Sequence, residues 1–264
     1  MKNLLIFLTV ITITALSGCH KHTLPLILNK VENLMCSQPD SAYALLASIN
    51  TDTLDTESFA RWCMLKAELS HRASNVSVPS IEEIKTALNW YQKHGTAEEQ
   101  LKAKFYLGMA YANEGETNKA IDTYVKVYQH AEKTKNYQLM GYVCSYTADL
   151  YAKDEYAIQS LKKRKEAALW FKKAQNKRSY VCALRDICRN YAYMDSLSLA
   201  LTYLHKADSI GKTLNDANVY SSILNAYGNI YTITKDYDKA ENYFKQSLAI
   251  SKDSASDYLA LIKL

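Results

Sequence analysis

Two short spacings in this chain could support covalent chemistry. Ser160-Leu161-Lys162-Lys163 and Ser209-Ile210-Gly211-Lys212 each place a lysine amine one helical turn from a serine hydroxyl, the arrangement in which an amine activates a nucleophile. No Ser-Asp-Asn or Lys-Thr-Gly accompanies them, and a chain with 32 lysines and arginines produces such matches by chance. His20 and His22 flank Lys21 and could bind a soft metal, although a polar spacer explains them as well. His71, His94, His130 and His205 are scattered, with no His-Glu-x-x-His and no Cys-x-x-Cys. Beyond Cys19, the cysteines are Cys36, Cys63, Cys144, Cys182 and Cys188, an odd number. Cys144 and Cys182 could pair, whereas Cys188 reads as a packed small residue. Catalysis, a cofactor and a metal site are therefore not expected. Arg185 and Arg189, four residues apart, should project from one helix face, where two guanidiniums could grip a carboxylate or phosphate. Asp149 is placed to neutralise one of them.

A basic run from Lys162 to Arg178 includes Lys162, Lys163, Arg164 and Lys165 and a single acid, Glu166. It reads as a solvated helix face, or, more specifically, as a contact for anionic lipid headgroups or an acidic partner. The net charge of the whole chain is a mild +5.

The N-terminus bears on where these groups work. Met1-Lys2-Asn3 is a short positive segment, Leu4 to Leu16 is apolar apart from threonines, and Leu16-Ser17-Gly18-Cys19 ends the stretch with small residues. This is a secretory signal, too short to span a bilayer, which takes roughly 20 helical residues. Leu-Ser-Gly-Cys resembles the bacterial lipobox, whose cysteine is acylated and becomes the new N-terminus. That resemblance implies a signal peptide at 1–18, lipidation at Cys19 and a tether over 19–24. Several acyl chains anchor a protein stably, at about 0.8 kcal/mol per buried CH₂. By the same resemblance His20, standing where aspartate would retain the protein at the inner membrane, favours the outer membrane, periplasm-facing rather than surface-exposed. No later stretch is apolar enough for a transmembrane helix. An exported chain is not expected to meet nucleic acid.

The remaining 246 residues have a folded protein's composition, with 48% hydrophobic residues in the chain and only 7 glycines and 3 prolines. So few breakers imply long helices. Gly108, Ala148, Cys188 and Gly228 stand 40 apart, as do Tyr111, Tyr151, Tyr191 and Tyr231. The register continues through Ala120, Ser160, Ala200 and Ala240, then Val127, Ala167, Ala207 and Ser247. Tyr124, Leu204 and Phe244 fill a bulky slot that Arg164 breaks. Small residues at fixed places let antiparallel helices approach, and aromatic rings fill the space beside them. Helix pairs are expected at 98–113 with 117–133, 137–153 with 156–175, 178–193 with 196–211, and 217–234 with 237–251. Upstream, Glu57 to Arg72 and Ile81 to His94 form a divergent pair, preceded by shorter helices at Leu26 to Cys36 and Pro39 to Ile49.

This pattern resembles the tetratricopeptide repeat, most clearly in Tyr106-Leu107-Gly108-Met109-Ala110-Tyr111 with Asn118-Lys119-Ala120, and in Tyr227-Gly228-Asn229-Ile230-Tyr231 with Asp238-Lys239-Ala240. The resemblance implies an all-α solenoid of antiparallel helix pairs, a right-handed superhelix, with helices longer than in the usual unit of about 34 residues. Residues 25–96 would be divergent N-terminal helices and a degenerate repeat, 97–254 four repeats, and 255–264 the start of a further helix. The pattern stops four residues short of its next small position, as a part of a longer protein would. In this family the concave face of the first helices binds ligands. By that resemblance the partner contacts are Phe105, Met109, Tyr142, Ser145, Asp149, Arg185, Arg189, Asn225 and Asn229. The repeated lysines and asparagines of the family's carboxylate clamp are not matched. A lipid-anchored scaffold for a protein or peptide is the reading that follows, with a sensor or ligand-capture component as the alternative. An envelope enzyme would need an acid, base or metal constellation that the sequence lacks.

Overall fold

The computed structural model describes residues 25–70 and 76–250. Residues 1–18, Cys19, the 19–24 tether, His71 and the segment 255–264 lie outside the described residues. All regular structure among the described residues is helical, and no helix there is long and apolar enough to cross a membrane. The chain forms two compact units, 1–123 and 124–264.

In the first unit, helix α1 covers residues 25–34, followed by α2 Pro39–Ala47, a 3-10 turn Thr51–Thr53, α3 Thr56–Leu69, α4 Ile81–His94 and α5 Ala97–Asn113. Pro39 sits at the start of α2, where its missing N–H costs nothing. The 3-10 turn was not anticipated; Asn50 holds it by accepting from the Asp52 amide at 3.1 Å. Asp55 caps α3 by accepting from Ser58 N–H at 2.8 Å. Ser80 with Glu83 and Thr96 with Glu99 form reciprocal capping boxes that start α4 and α5. Trp62 is buried and donates its indole N–H to the Leu46 carbonyl at 3.2 Å, fastening α3 to α2. α5 receives α4 and also α3, through the Lys102–Glu68 ion pair.

Helix α6, Thr117–Lys133, leads into the second unit. There α7 Tyr137–Lys153, α8 Ala157–Lys173, α9 Lys177–Tyr193, α10 Leu197–Gly211, α11 Ala217–Ile233 and α12 Tyr237–Ile250 follow one another. Each packs on the next. The expected span 137–153 coincides with α7. α8 is shorter than expected, because left-handed Gln175 ends its closing turn two residues past Lys173.

The reversals share one device. Gly115, Lys135, Glu155, Gln175, Asp195, Asn215 and Lys235 all have φ between 51° and 84°, spaced 20 residues apart. A left-handed residue there lets the following N–H reach back to a carbonyl near the helix end, as from Tyr156 to Tyr151 at 2.8 Å and from Asp236 to Tyr231 at 2.9 Å. Six of the seven are not glycine, although a side chain in this conformation costs roughly 1–2 kcal/mol. Small residues set the helix spacing. A Cβ added at Gly228 would come within 2.4 Å of the Phe244 ring, and one at Gly141 within 2.5 Å of Phe171. Cys188, in the same register as Gly228, is buried at 1% exposure between α9 and α10.

Candidate functional site

The second unit brings three first helices, α7, α9 and α11, into register. Residues 40 apart form rows across them: Tyr142, Cys182 and Ser222; Ser145, Arg185 and Asn225; Asp149, Arg189 and Asn229; Lys153, Tyr193 and Ile233. All are exposed or half-buried, whereas most of the positions between them are buried. This is the 3.6-residue periodicity of an amphipathic helix, repeated three times. Side chains tie the rows together: the Ser179 and Tyr142 hydroxyls lie 3.4 Å apart, and Arg185 Nη1 donates to Ser222 Oγ at 2.7 Å.

Beneath this face lies a polar interior centred on Arg164. In the slot that Leu204 and Phe244 fill elsewhere, its guanidinium donates to Asp149 Oδ1 at 2.9 Å and to Asn190 Oδ1 at 3.2 Å, and approaches Asp186 Oδ2 at 3.5 Å. Asn190 donates in turn to the Ala157 carbonyl at 3.1 Å, and Ser160 to the Ala148 carbonyl at 2.9 Å. Ser160, Arg164 and Asn190 are three departures from the repeat pattern that fold together. Each supplies what the others need, so the buried polar groups remain satisfied. Ser160 is consumed by this packing rather than set up as a nucleophile, and Lys212 of the other Ser-x-x-Lys match pairs with Asp208 at 2.8 Å.

Arg185 and Arg189 do share a helix face, but their partner is not Asp149, as the sequence suggested. Arg185 grips Asp186 through Nε at 3.0 Å and Nη2 at 2.8 Å. Arg189 reaches Asp186 only at 3.8 Å and keeps 56% of its side chain exposed. Asp149 is taken by Arg164. Three guanidiniums thus face two carboxylates, leaving one positive charge, and Arg189 presents it. Burial would push the Asp186 carboxyl up, but Arg185, then Arg164 and Arg189, hold it below the usual carboxylate range. The Arg189 pKa is lowered, first by lost hydration and then by the like charge of Arg185.

Several expected contacts are corrected. Phe105 and Met109 hold in α5 the positions that Ser145 and Asp149 hold in α7, yet each is only 3% exposed. Large apolar side chains gain by burial, and α5 is packed by α3 as well as α4, so neither is a partner contact. The basic run Lys162 to Lys165 divides, with Lys162 and Lys165 exposed and Lys163 and Arg164 half-buried. Arg164 turns inward and Lys163 pairs with Glu166 at 2.6 Å, while Lys165 donates to the neutral Tyr191 Oη at 2.7 Å, so that neither Lys162 nor Lys165 has an acidic partner among the described residues. Cys144 and Cys182 are free thiols, as are Cys36, Cys63 and Cys188. Burial pushes Cys63, Cys144 and Cys188 up to about 12, so they are thiols rather than reactive thiolates at neutral pH. No group of three or more metal-binding side chains occurs among the described residues.

The exposed ring of Tyr193 escaped the sequence reading. It is 71% exposed one helical turn beyond Arg189, and Ile233 holds the same position in α11 at 48%. Their 40-residue spacing was the available signal.

Comparison with known proteins agrees with this architecture. Residues 223–258 match the tetratricopeptide repeat family model. No curated protein matches the sequence. Among solved structures, the chain is similar to a Rap protein complexed with Competence and Sporulation Factor, with 19% identity over 92% of this chain and 70% of that one and a TM-score of 0.61. It also resembles NprR in complex with its cognate peptide NprX, at 17% identity over 92% and 73% of the two chains with TM-score 0.56. A third is BtubC from P. vanneervenii, at 14% identity over 87% and 88% with TM-score 0.57. At these identities the likeness is one of fold.

Proposed function

We propose that the chain is a non-catalytic scaffold that binds a protein or peptide on the exposed face of α7, α9 and α11. One observation carries the reading: Arg189 projects an incompletely neutralised guanidinium, held in place by a buried ionic network and flanked by Asn229 and the exposed rings and chains of Tyr193 and Ile233. A guanidinium supplies directional donors to a carboxylate, an amide side chain can pair with an extended backbone, and an exposed aromatic ring offers area at low entropic cost. The preferred partner is therefore an acidic segment with an apolar side chain. Two structures of similar fold were determined with a factor or cognate peptide bound, which supports the same class.

The same proposal places the scaffold in the bacterial envelope, periplasm-facing on the outer membrane and held by acyl chains on Cys19. The sequence Leu16-Ser17-Gly18-Cys19 behind an apolar run supports this part. A peptide library presented to the purified chain should enrich acidic sequences, and Arg189→Glu should abolish that enrichment while leaving the melting temperature within a few degrees. An unchanged enrichment profile would refute the role of the face. Labelled palmitate should be incorporated by the wild type and not by Cys19→Ala; label retained in the variant would refute the anchor.

A further inference from the structure

A cleft of about 520 Å³ opens where the end of α8, the start of α9 and the end of α10 meet, away from the rows described above. Phe171, Tyr180 and Ile210 give it apolar walls, and Lys172, Lys177, Gln175, Ser209 and Thr213 surround them. It has no acidic lining residue, and the acids nearby in sequence are occupied: Asp208 by Lys212 and Asp216 by Arg178, each at 2.8 Å. The end of α8 satisfies its carbonyls internally, with Asn176 N–H on the Phe171 carbonyl at 3.0 Å and Gln175 N–H on that of Lys172 at 3.1 Å. Lys172 and Lys177 thus face the cleft with no acidic partner among the described residues.

The repeat itself indicates what belongs there. Forty residues earlier, the positions of Lys177, Ile210 and Thr213 are held by Tyr137, Trp170 and Lys173. In that copy the indole of Trp170 stacks on the ring of Tyr137, centroids 5.8 Å apart and planes 2° from parallel, with the Lys173 ammonium 4.6 Å over the indole. Glu132 stands where Lys172 does. Moving forward one repeat removes both stacked rings and exchanges an acid for a base. The space that an aromatic pair fills in one copy is open in the next, and the one acid at its rim, Glu132, is replaced by Lys172.

We propose that this cleft binds a small aromatic carboxylate, its ring lying where the sister copy places Trp170 and its anion meeting Lys172 and Lys177. Ring burial supplies the apolar contribution, and the two ammonium groups discriminate against neutral and cationic analogues. Indole-3-acetate, titrated into the full-length chain by calorimetry, is the probe. Saturable binding is expected, with indole-3-ethanol and tryptamine at least tenfold weaker. Lys172→Glu should weaken indole-3-acetate at least tenfold. Ile210→Trp combined with Lys177→Tyr should rebuild the sister stack, leave the helical circular dichroism intact and abolish binding. Absence of saturable binding, equal affinity for the neutral alcohol, or binding that survives the filled cleft would each overturn the proposal. N-acetyl-Gly-Trp presents the same ring and carboxylate on a peptide end; binding tenfold tighter than indole-3-acetate would assign the site to peptide termini and overturn the free-acid assignment.

Discussion

The pairs α7/α8 and α11/α12 have the same helix order and the same turn, yet one closes around Arg164 and the other around Phe244. In the second pair, Phe244 packs against Gly228 with Ala240 and Ile230 nearby in register, all buried. In the first, Ser160 and Arg164 take the places of Ala240 and Phe244, and Asn190, on the following helix α9, stands where Ile230 does and bonds Arg164. One backbone geometry thus accepts an apolar or an ionic interior, provided every buried polar group finds a partner. The family match falls on the apolar pair, within 223–258, because that pair keeps the pattern of small and aromatic residues. The ionic pair departs from the pattern, and its departures position the charged face.

The sharpest break between the two pairs is Asp186→Ala, which strands Arg164 and Arg185 with too little counter-charge. Removing one partner of a buried network costs about 3–5 kcal/mol. Urea denaturation should register that loss, and a change under 1 kcal/mol would mean that the network is dispensable. Next comes Gly228→Ala in the apolar pair, where the new methyl meets Phe244; overpacking of this kind costs typically 1–3 kcal/mol. Adding Phe244→Leu should recover part of it.

Acid should separate the pairs through Asp186. Its carboxyl releases its proton more readily in the folded chain than in the unfolded one, so it stabilises the fold above the unfolded pKa of about 3.9. That contribution disappears as pH falls through the lower folded value. Hydrogen exchange below about pH 4 should therefore open α9 before α11. Simultaneous opening would contradict the difference. The smallest effect should be equal in both pairs: Glu155→Gly and Lys235→Gly each relieve a left-handed side chain and should stabilise by up to about 1 kcal/mol.

Much of this was legible because the repeat has a fixed period. Small residues at 40-residue intervals gave the helix pairs, and their spans from 97 onward were readable to within about three residues. What escaped depends on contacts between copies. Arg164 was visible as a broken slot, but its turn toward Asp149 and Asp186 follows from Asn190, which lies 26 residues away. Phe105 and Met109 occupied the right helical phase for a binding face and were buried anyway, since phase says nothing about what packs on top. The left-handed turns hid behind ordinary polar residues, where only glycine announces itself. The cleft is defined by rings that are missing from one copy, and it emerges by comparing Ile210 with Trp170.

The turns spaced 20 residues apart have a further consequence. An α-helix advances about 100° per residue, so one residue inserted into α9 ahead of Cys188 would rotate everything beyond it by that angle until the next reversal. Arg189 would then point into a neighbouring helix and Cys188 into solvent. Helix length thus decides which side chains reach the outward rows and which enter the packed seam.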